Sequence, residues 1–191
     1  MKKKLSIVVM MHPSREKYIP YLKKMLGDIP FVMDRKNNIW DTCRRAWLAH
    51  DFACEYGIII QDDAIICNDF RKRAELFLTG DFIYSFYAGK FLAGRILDAE
   101  RKKLDHVISP MIYNEIALCM KTSRIKDMVN FCDELDAQTD QDIVKYARKQ
   151  GLQIFYTIPS LINHRDEHSI YREKYNKEDR QEVRKAFRFH D

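Results

Sequence analysis

No Cys-x-x-Cys pair occurs among the five cysteines, Cys43, Cys54, Cys67, Cys119 and Cys132. Their number is odd, so neither a disulfide framework nor a thiolate zinc site is indicated. A reducing cytosol is the expected compartment. Long apolar runs are missing as well. The run behind Met-Lys-Lys-Lys lasts about seven residues before His12 and Pro13, where a membrane span needs roughly twenty. No small-residue cleavage site follows it, so no membrane span, anchor or export signal is expected. There is no internal repeat, low-complexity tract or linker. Charge of one sign is not in large excess either: the formal net charge is +5. The basic clusters at 2–4 and 101–103 read as solvated surface rather than a nucleic-acid groove. An anionic acceptor stays open on charge alone.

What is present is an ordinary globular composition of 191 residues, 46% hydrophobic and 32% charged. That is enough chain for one well-filled core and short for two, so a single domain over 1–191 is expected. Its organising stretch is Tyr56-Gly-Ile-Ile-Ile-Gln-Asp-Asp, an uncharged, β-branched run that stops at two adjacent carboxylates. Such a run reads as a strand buried on both faces of a parallel sheet. Asp62 and Asp63 then stand at its carboxyl end, where open α/β sheets bind ligands. Adjacent carboxylates repel unless a cation lies beside them, and a hard divalent ion with positions open to phosphate oxygens suits the spot.

The other elements arrange themselves around that strand. Leu5–Met11 is a second apolar run and feeds the loop His12-Pro-Ser-Arg-Glu, which also opens at the carboxyl edge. Ser14 can cap a helix ending at Gly27, and the short run 29–34 ends in Asp34, in the manner of strands whose terminal acid holds ribose hydroxyls. Asn38 or Asp41 can cap a helix through Trp47. Asn68 caps another that stops at Gly80. A strand is expected at 81–88, a loop or partial helix at 89–105, a strand over 106–120 broken at Pro110, and a helix from Ser123. Asp140 and Asp142 gather before a helix ending at Gly151. A strand at 152–158 leads into Pro159-Ser-Leu-Ile-Asn-His164, and the alternating charge of 165–191 predicts a surface helix, most evidently over about 170–191.

Gln61-Asp62-Asp63 after a buried strand, followed far downstream by Pro159-Ser-Leu-Ile-Asn-His164, resembles the D-x-D region and closing P-S-L-x-x-H segment of nucleotide-sugar glycosyltransferases. With Trp40-Asp-Thr-Cys-Arg-Arg-Ala-Trp47 one helix upstream, the order of segments from about Leu5 to Ser169 is similar to small phage and bacterial members. The resemblance implies a GT-A, Rossmann-like α/β fold: one domain with a mixed, mostly parallel sheet flanked by helices. It implies that Asp63 and His164 bind a metal, Mn2+ or Mg2+, with manganese favoured by the imidazole. It places Asp62 on the ribose or behind the ion, Asp34 on the base or ribose, and His12, Pro13 and Arg15 along the base-side wall. Arg44 or Arg45 would reach the diphosphate, because a guanidinium suits phosphate. Asp142, with Asp140 as alternate, would be the catalytic base. Gln61 departs from the acid that many relatives carry and lowers the local negative charge.

The implied reaction is hexosyl or pentosyl transfer from a nucleoside-diphosphate sugar to an acceptor hydroxyl. The acceptor would be a hydroxymethylated base in phage DNA, in the host cytoplasm, or else a glycan or protein. Two other classes compete. A nucleotidyltransferase or other metal-dependent nucleotide-processing enzyme uses the same carboxylates and would release pyrophosphate from a nucleoside triphosphate. A non-catalytic nucleotide or nucleic-acid binding module would bind its ligand without regard to metal.

Overall fold

A computed structural model describes residues 5–113, 115–137, 142–165 and 185–191. Seven strands form one mixed sheet: β1 (Leu5–Met11), β2 (Phe31–Met33), β3 (Tyr56–Gln61), β5 (Ile83–Ser85), β6 (His106–Ser109), β7 (Ala117–Lys121) and β8 (Ile154–Thr157). Their spatial order is β2-β1-β3-β7-β5-β8-β6. The pairings β2–β1, β1–β3 and β5–β8 are parallel. β7 runs antiparallel between β3 and β5, and β6 is antiparallel to β8 at the far edge. A separate ribbon pairs β4 (Ala64–Ile66) with β9 (Ile162–His164).

The unbroken apolar runs have a direct cause. Successive side chains of a strand point to opposite faces, and here both faces are covered. Ile7, Val9 and Met11 of β1 and Ile58 and Ile60 of β3 join one core, with α1 (Ile19–Leu26) and α3 (Phe70–Phe77). Val8, Met10 and Ile59 join the other. That second core contains buried residues of α2 (Ile39–Leu48), α4 (Ala93–Arg101), α5 (Thr122–Glu134) and α6 (Ile143–Lys149). Each fully buried isoleucine contributes about 1.5–3 kcal/mol, so a polar residue at any of these positions would cost more than a surface change could recover.

Several local expectations need correcting. The partial helix allowed for at 89–105 is present and needs no correction: a short 3-10 turn, Lys90–Leu92, runs into α4. The expected strand over 106–120, broken at Pro110, is two strands in different places: β6 ends at Ser109 on the far edge, and β7 lies between β3 and β5. The chain past Asp63 enters β4 before α3, and Asp69 rather than Asn68 occupies the helix cap, at φ 56°. Residues 185–191 are extended, not helical: Ala186 bridges Gly89 and Phe189 bridges Ser160. Phe189 packs against the α1/α3 core and Phe187 against the other, burial that a free surface helix would not provide. The rest of that expected helix, 166–184, lies outside the described residues. Among the described residues no helix is long and apolar enough to cross a membrane.

Candidate active site

The carboxyl ends of β1 and β3 lie side by side, in register from Leu5↔Tyr56 to Met10↔Gln61. Beyond that register the two chains separate, and the loop after β1 folds back over the turn after β3. Pro13–Tyr18 forms a 3-10 helix whose cap residue, His12, donates its backbone N–H to Asp62 Oδ2 at 2.6 Å. Arg15, on the same turn, places Nη1 2.8 Å from Asp62 Oδ1 and 2.6 Å from Asp63 Oδ2. The guanidinium and both carboxylates are buried.

The ribbon brings in the distant partner. Ala64 pairs with His164, Ile65 with Asn163 and Ile66 with Ile162, and the Arg165 N–H donates to the Asp63 carbonyl at 2.8 Å. This register sets His164 Nε2 3.3 Å from Asp63 Oδ2. Both residues are nearly inaccessible, at 3% and 4% exposure.

Burial is the largest influence on each acid and raises both carboxyls, but the outcomes differ. Asp62 stays above the ordinary range despite the His12 and Arg15 hydrogen bonds. Asp63 ends below it, because the hydrogen bond and charge of His164, with those of Arg15, outweigh the burial. Arg15 loses stabilisation to burial, yet the two carboxylates more than restore it and hold its proton more tightly than usual.

The fit to a divalent ion is testable on this geometry. Two ligands about 2.1 Å from one ion at a right angle stand about 3 Å apart, close to the separation observed between Asp63 Oδ2 and His164 Nε2. Asp63 Oδ1 is buried without a hydrogen-bond partner, as is His164 Nδ1. An acceptor left bare in the interior costs about 1–3 kcal/mol, and a cation held by both oxygens of Asp63 would relieve it. The donor set fits. Among the described residues no cluster of three or more His, Cys, Asp or Glu side chains forms a metal cage. An ion here would therefore take its remaining ligands from substrate and water.

The remaining residues singled out in the sequence fall into place unevenly. Asp34 is buried just past β2, and its Oδ1 accepts from the backbone N–H groups of Lys36 and Asn38, closing the turn. Pro13 opens the 3-10 helix. Arg45 donates to the Met33 carbonyl and to Asp41, fastening the end of β2. Arg44 turns toward α5, where Nε donates to Asp133 Oδ2 at 2.7 Å. Neither arginine is brought to the acid pair. Asp142 occupies the N-cap position of α6 without a side-chain capping bond, and its Oδ1 lies 2.6 Å from Lys145 Nζ. Since α6 runs back through Gly151 into β8, its first turn lies toward the sheet edge where β8 ends. Asp140 lies outside the described residues.

Two neighbours of the site escaped the sequence reading. The Arg165 guanidinium lies over the rings of Tyr18 and Tyr21, at 4.5 and 4.6 Å, next to the metal-type ligands. Its only signal was that it follows His164. Glu115 is buried immediately before β7, where the Ile116 carbonyl accepts from the Gln61 N–H, so it borders the same edge. A lone acid in a broken apolar stretch gave no pattern to read.

No protein-family model matches the chain, and no curated protein matches it by sequence. Solved structures do match. One is a variant of Drosophila β-1,4-galactosyltransferase 7 in complex with manganese, UDP-Gal and xylobiose. It superposes with a TM-score of 0.51 over 95% of this chain and 76% of that one, at 11% identity. At that identity the likeness establishes architecture: a single α/β domain with the GT-A fold.

Proposed function

We propose that this protein transfers a glycosyl group from a nucleoside-diphosphate sugar to an acceptor hydroxyl. The observation that carries this reading is the 3.3 Å approach of Asp63 Oδ2 and His164 Nε2 beside Asp62, at the carboxyl edge of a GT-A sheet. A divalent ion held by Asp63 and His164, manganese before magnesium, would supply Lewis acidity to the departing diphosphate. Asp62 and the clamped loop His12-Pro13-Ser14-Arg15 would orient the ribose and base, with Asp34 behind them. Asp142 would accept the acceptor hydroxyl proton as that oxygen bonds the anomeric carbon and the nucleoside diphosphate leaves with the electrons of the broken C–O bond. Asp140 is the alternate base.

The solved neighbour's UDP-Gal and xylobiose support beginning with uridine donors and glycan acceptors. A hydroxymethylated base in phage DNA is the second acceptor class, resting on the phage-type segments alone. The deciding experiment is donor cleavage by purified protein across a panel of nucleotide-sugars with manganese. Cleavage of one donor that disappears in Asp63→Ala supports the reading. Absence of both binding and cleavage, with Asp63→Ala indistinguishable from native protein, ends it.

A further inference from the structure

The place a divalent ion would occupy is already contested from within the chain. The Asp63 oxygen that faces His164 at 3.3 Å is the oxygen that accepts from Arg15 Nη1 at 2.6 Å. The same Nη1 reaches Asp62 Oδ1 at 2.8 Å, so one nitrogen spans the acid pair. A metal bonded to that oxygen at about 2.1 Å would sit within a few ångströms of a full guanidinium charge in a site shut off from solvent, where like charges repel strongly. Guanidinium and ion therefore compete for the charge of Asp63 Oδ2. Arg15 is also 8% exposed, so water does not screen the conflict.

We infer that Arg15 is a resident counter-cation that sets the divalent-ion affinity of the site. The ion enters by taking Asp63 Oδ2 from the guanidinium, and the guanidinium turns to the phosphate oxygens that the donor brings. Without donor, the chain's own cation neutralises most of the acid pair and keeps metal affinity low. With donor, a diphosphate offers the guanidinium a planar, two-pronged partner, so metal and nucleotide bind more tightly together than apart. This inference rests on the metal-dependent reading proposed above.

The test measures Mn2+ binding directly, by the loss of the free-ion electron paramagnetic resonance signal, with and without UDP. Arg15→Gln should bind Mn2+ alone about tenfold more tightly than native protein, ~1.4 kcal/mol. Its gain in Mn2+ affinity on adding UDP should be correspondingly smaller. Native binding with equal or weaker binding by Arg15→Gln overturns the inference and leaves the proposed function standing. Failure of both proteins to bind Mn2+ even with UDP removes the metal-dependent reading and the inference with it. Should Arg15→Gln not fold, the native protein decides through its arginine side-chain N–H nuclear magnetic resonance signals. The Arg15 signals should shift on adding diamagnetic Mg2+ with UDP, and signals that stay fixed at saturation overturn the inference.

Discussion

Asp63 and His164, far apart in the chain, meet with Oδ2 and Nε2 3.3 Å apart because Ala64 and His164 are register partners in an antiparallel ribbon. Under the proposed function the two would hold one ion and act as a unit, so losing either should cost as much as losing both. Asp63→Asn, His164→Gln and the double variant are each expected to lower donor cleavage by about 10²–10³-fold, and to do so without adding. Chelating the metal from native protein should bring it to the same residual rate. Steady-state rates for the four proteins, with and without chelator, check this; additive losses would mean that the two side chains serve different tasks.

Asp142 makes a different prediction because it would act on the acceptor rather than on the donor. Asp142→Asn removes a proton acceptor while keeping the side chain's shape, and the amide oxygen can still accept from Lys145, now 2.6 Å from Oδ1, in a weaker bond. Transfer to acceptor should fall by about 10²–10⁴-fold with donor affinity unchanged. Calorimetric donor binding alongside single-turnover transfer separates the two. A large loss of donor affinity would place the residue in the donor pocket instead.

The ribbon that carries the site offers a third test. Tyr21 Oη accepts the Ile66 N–H at 2.8 Å, completing a backbone group that β9 leaves unpaired. Tyr21→Phe strands that donor and should destabilise the fold by about 1–3 kcal/mol. It keeps the ring beneath Arg165, whose guanidinium lies over the Tyr18 and Tyr21 rings, so the change tests the hydroxyl alone. Chemical denaturation gives the first quantity, and Mn2+ affinity in the presence of UDP should weaken in parallel. Loss of stability with unaltered metal affinity would show that the ribbon holds its register without this bond.

How far the sequence reached can be judged from these same residues. β1 and β3 were legible because burial on both faces writes itself as an unbroken apolar run, and the acids after β3 are adjacent in the chain. The Asp63–His164 encounter was readable only through the spacing of family-like segments, since nothing local in Asn163-His164 announces a ribbon. β4, three residues long, has no period of its own and exists because β9 pairs with it. Arg15 bridging both acids was beyond reach: its place depends on how the 3-10 turn folds over a neighbouring strand, and a single arginine after a proline carries no such signal. The extended course of 185–191 was hidden likewise, because its partners Gly89 and Ser160 lie in other loops. Local pattern thus gave the sheet, while contacts between loops gave the chemistry.

The last prediction concerns stability at the opposite edge of the sheet, where His50 is 4% exposed and packs against Trp47. Ser6 Oγ accepts the Asp51 N–H at 3.0 Å and lies within hydrogen-bond range of His50 Nδ1, at 3.0 Å. His50 Nε2 has no hydrogen-bond partner, and burial lowers the imidazole from 6.5 to about 4. Between those values the unfolded chain binds a proton that the folded one refuses. The contribution is therefore full above about pH 6.5 and is lost as pH falls toward about 4, about 3 kcal/mol in all. Denaturant unfolding should show native protein losing about 2 kcal/mol from this source between about pH 7 and about pH 5. His50→Gln, with no group titrating there, should be flatter by that amount. Gly57→Ala probes the same packing without changing charge, since a Cβ there would meet His50 Cδ2 at 2.7 Å and Ile125 Cδ1 at 2.9 Å. It should cost about 1–3 kcal/mol at either pH and keep the native pH slope. Equal slopes in native protein and His50→Gln would mean that the acid sensitivity lies with other groups.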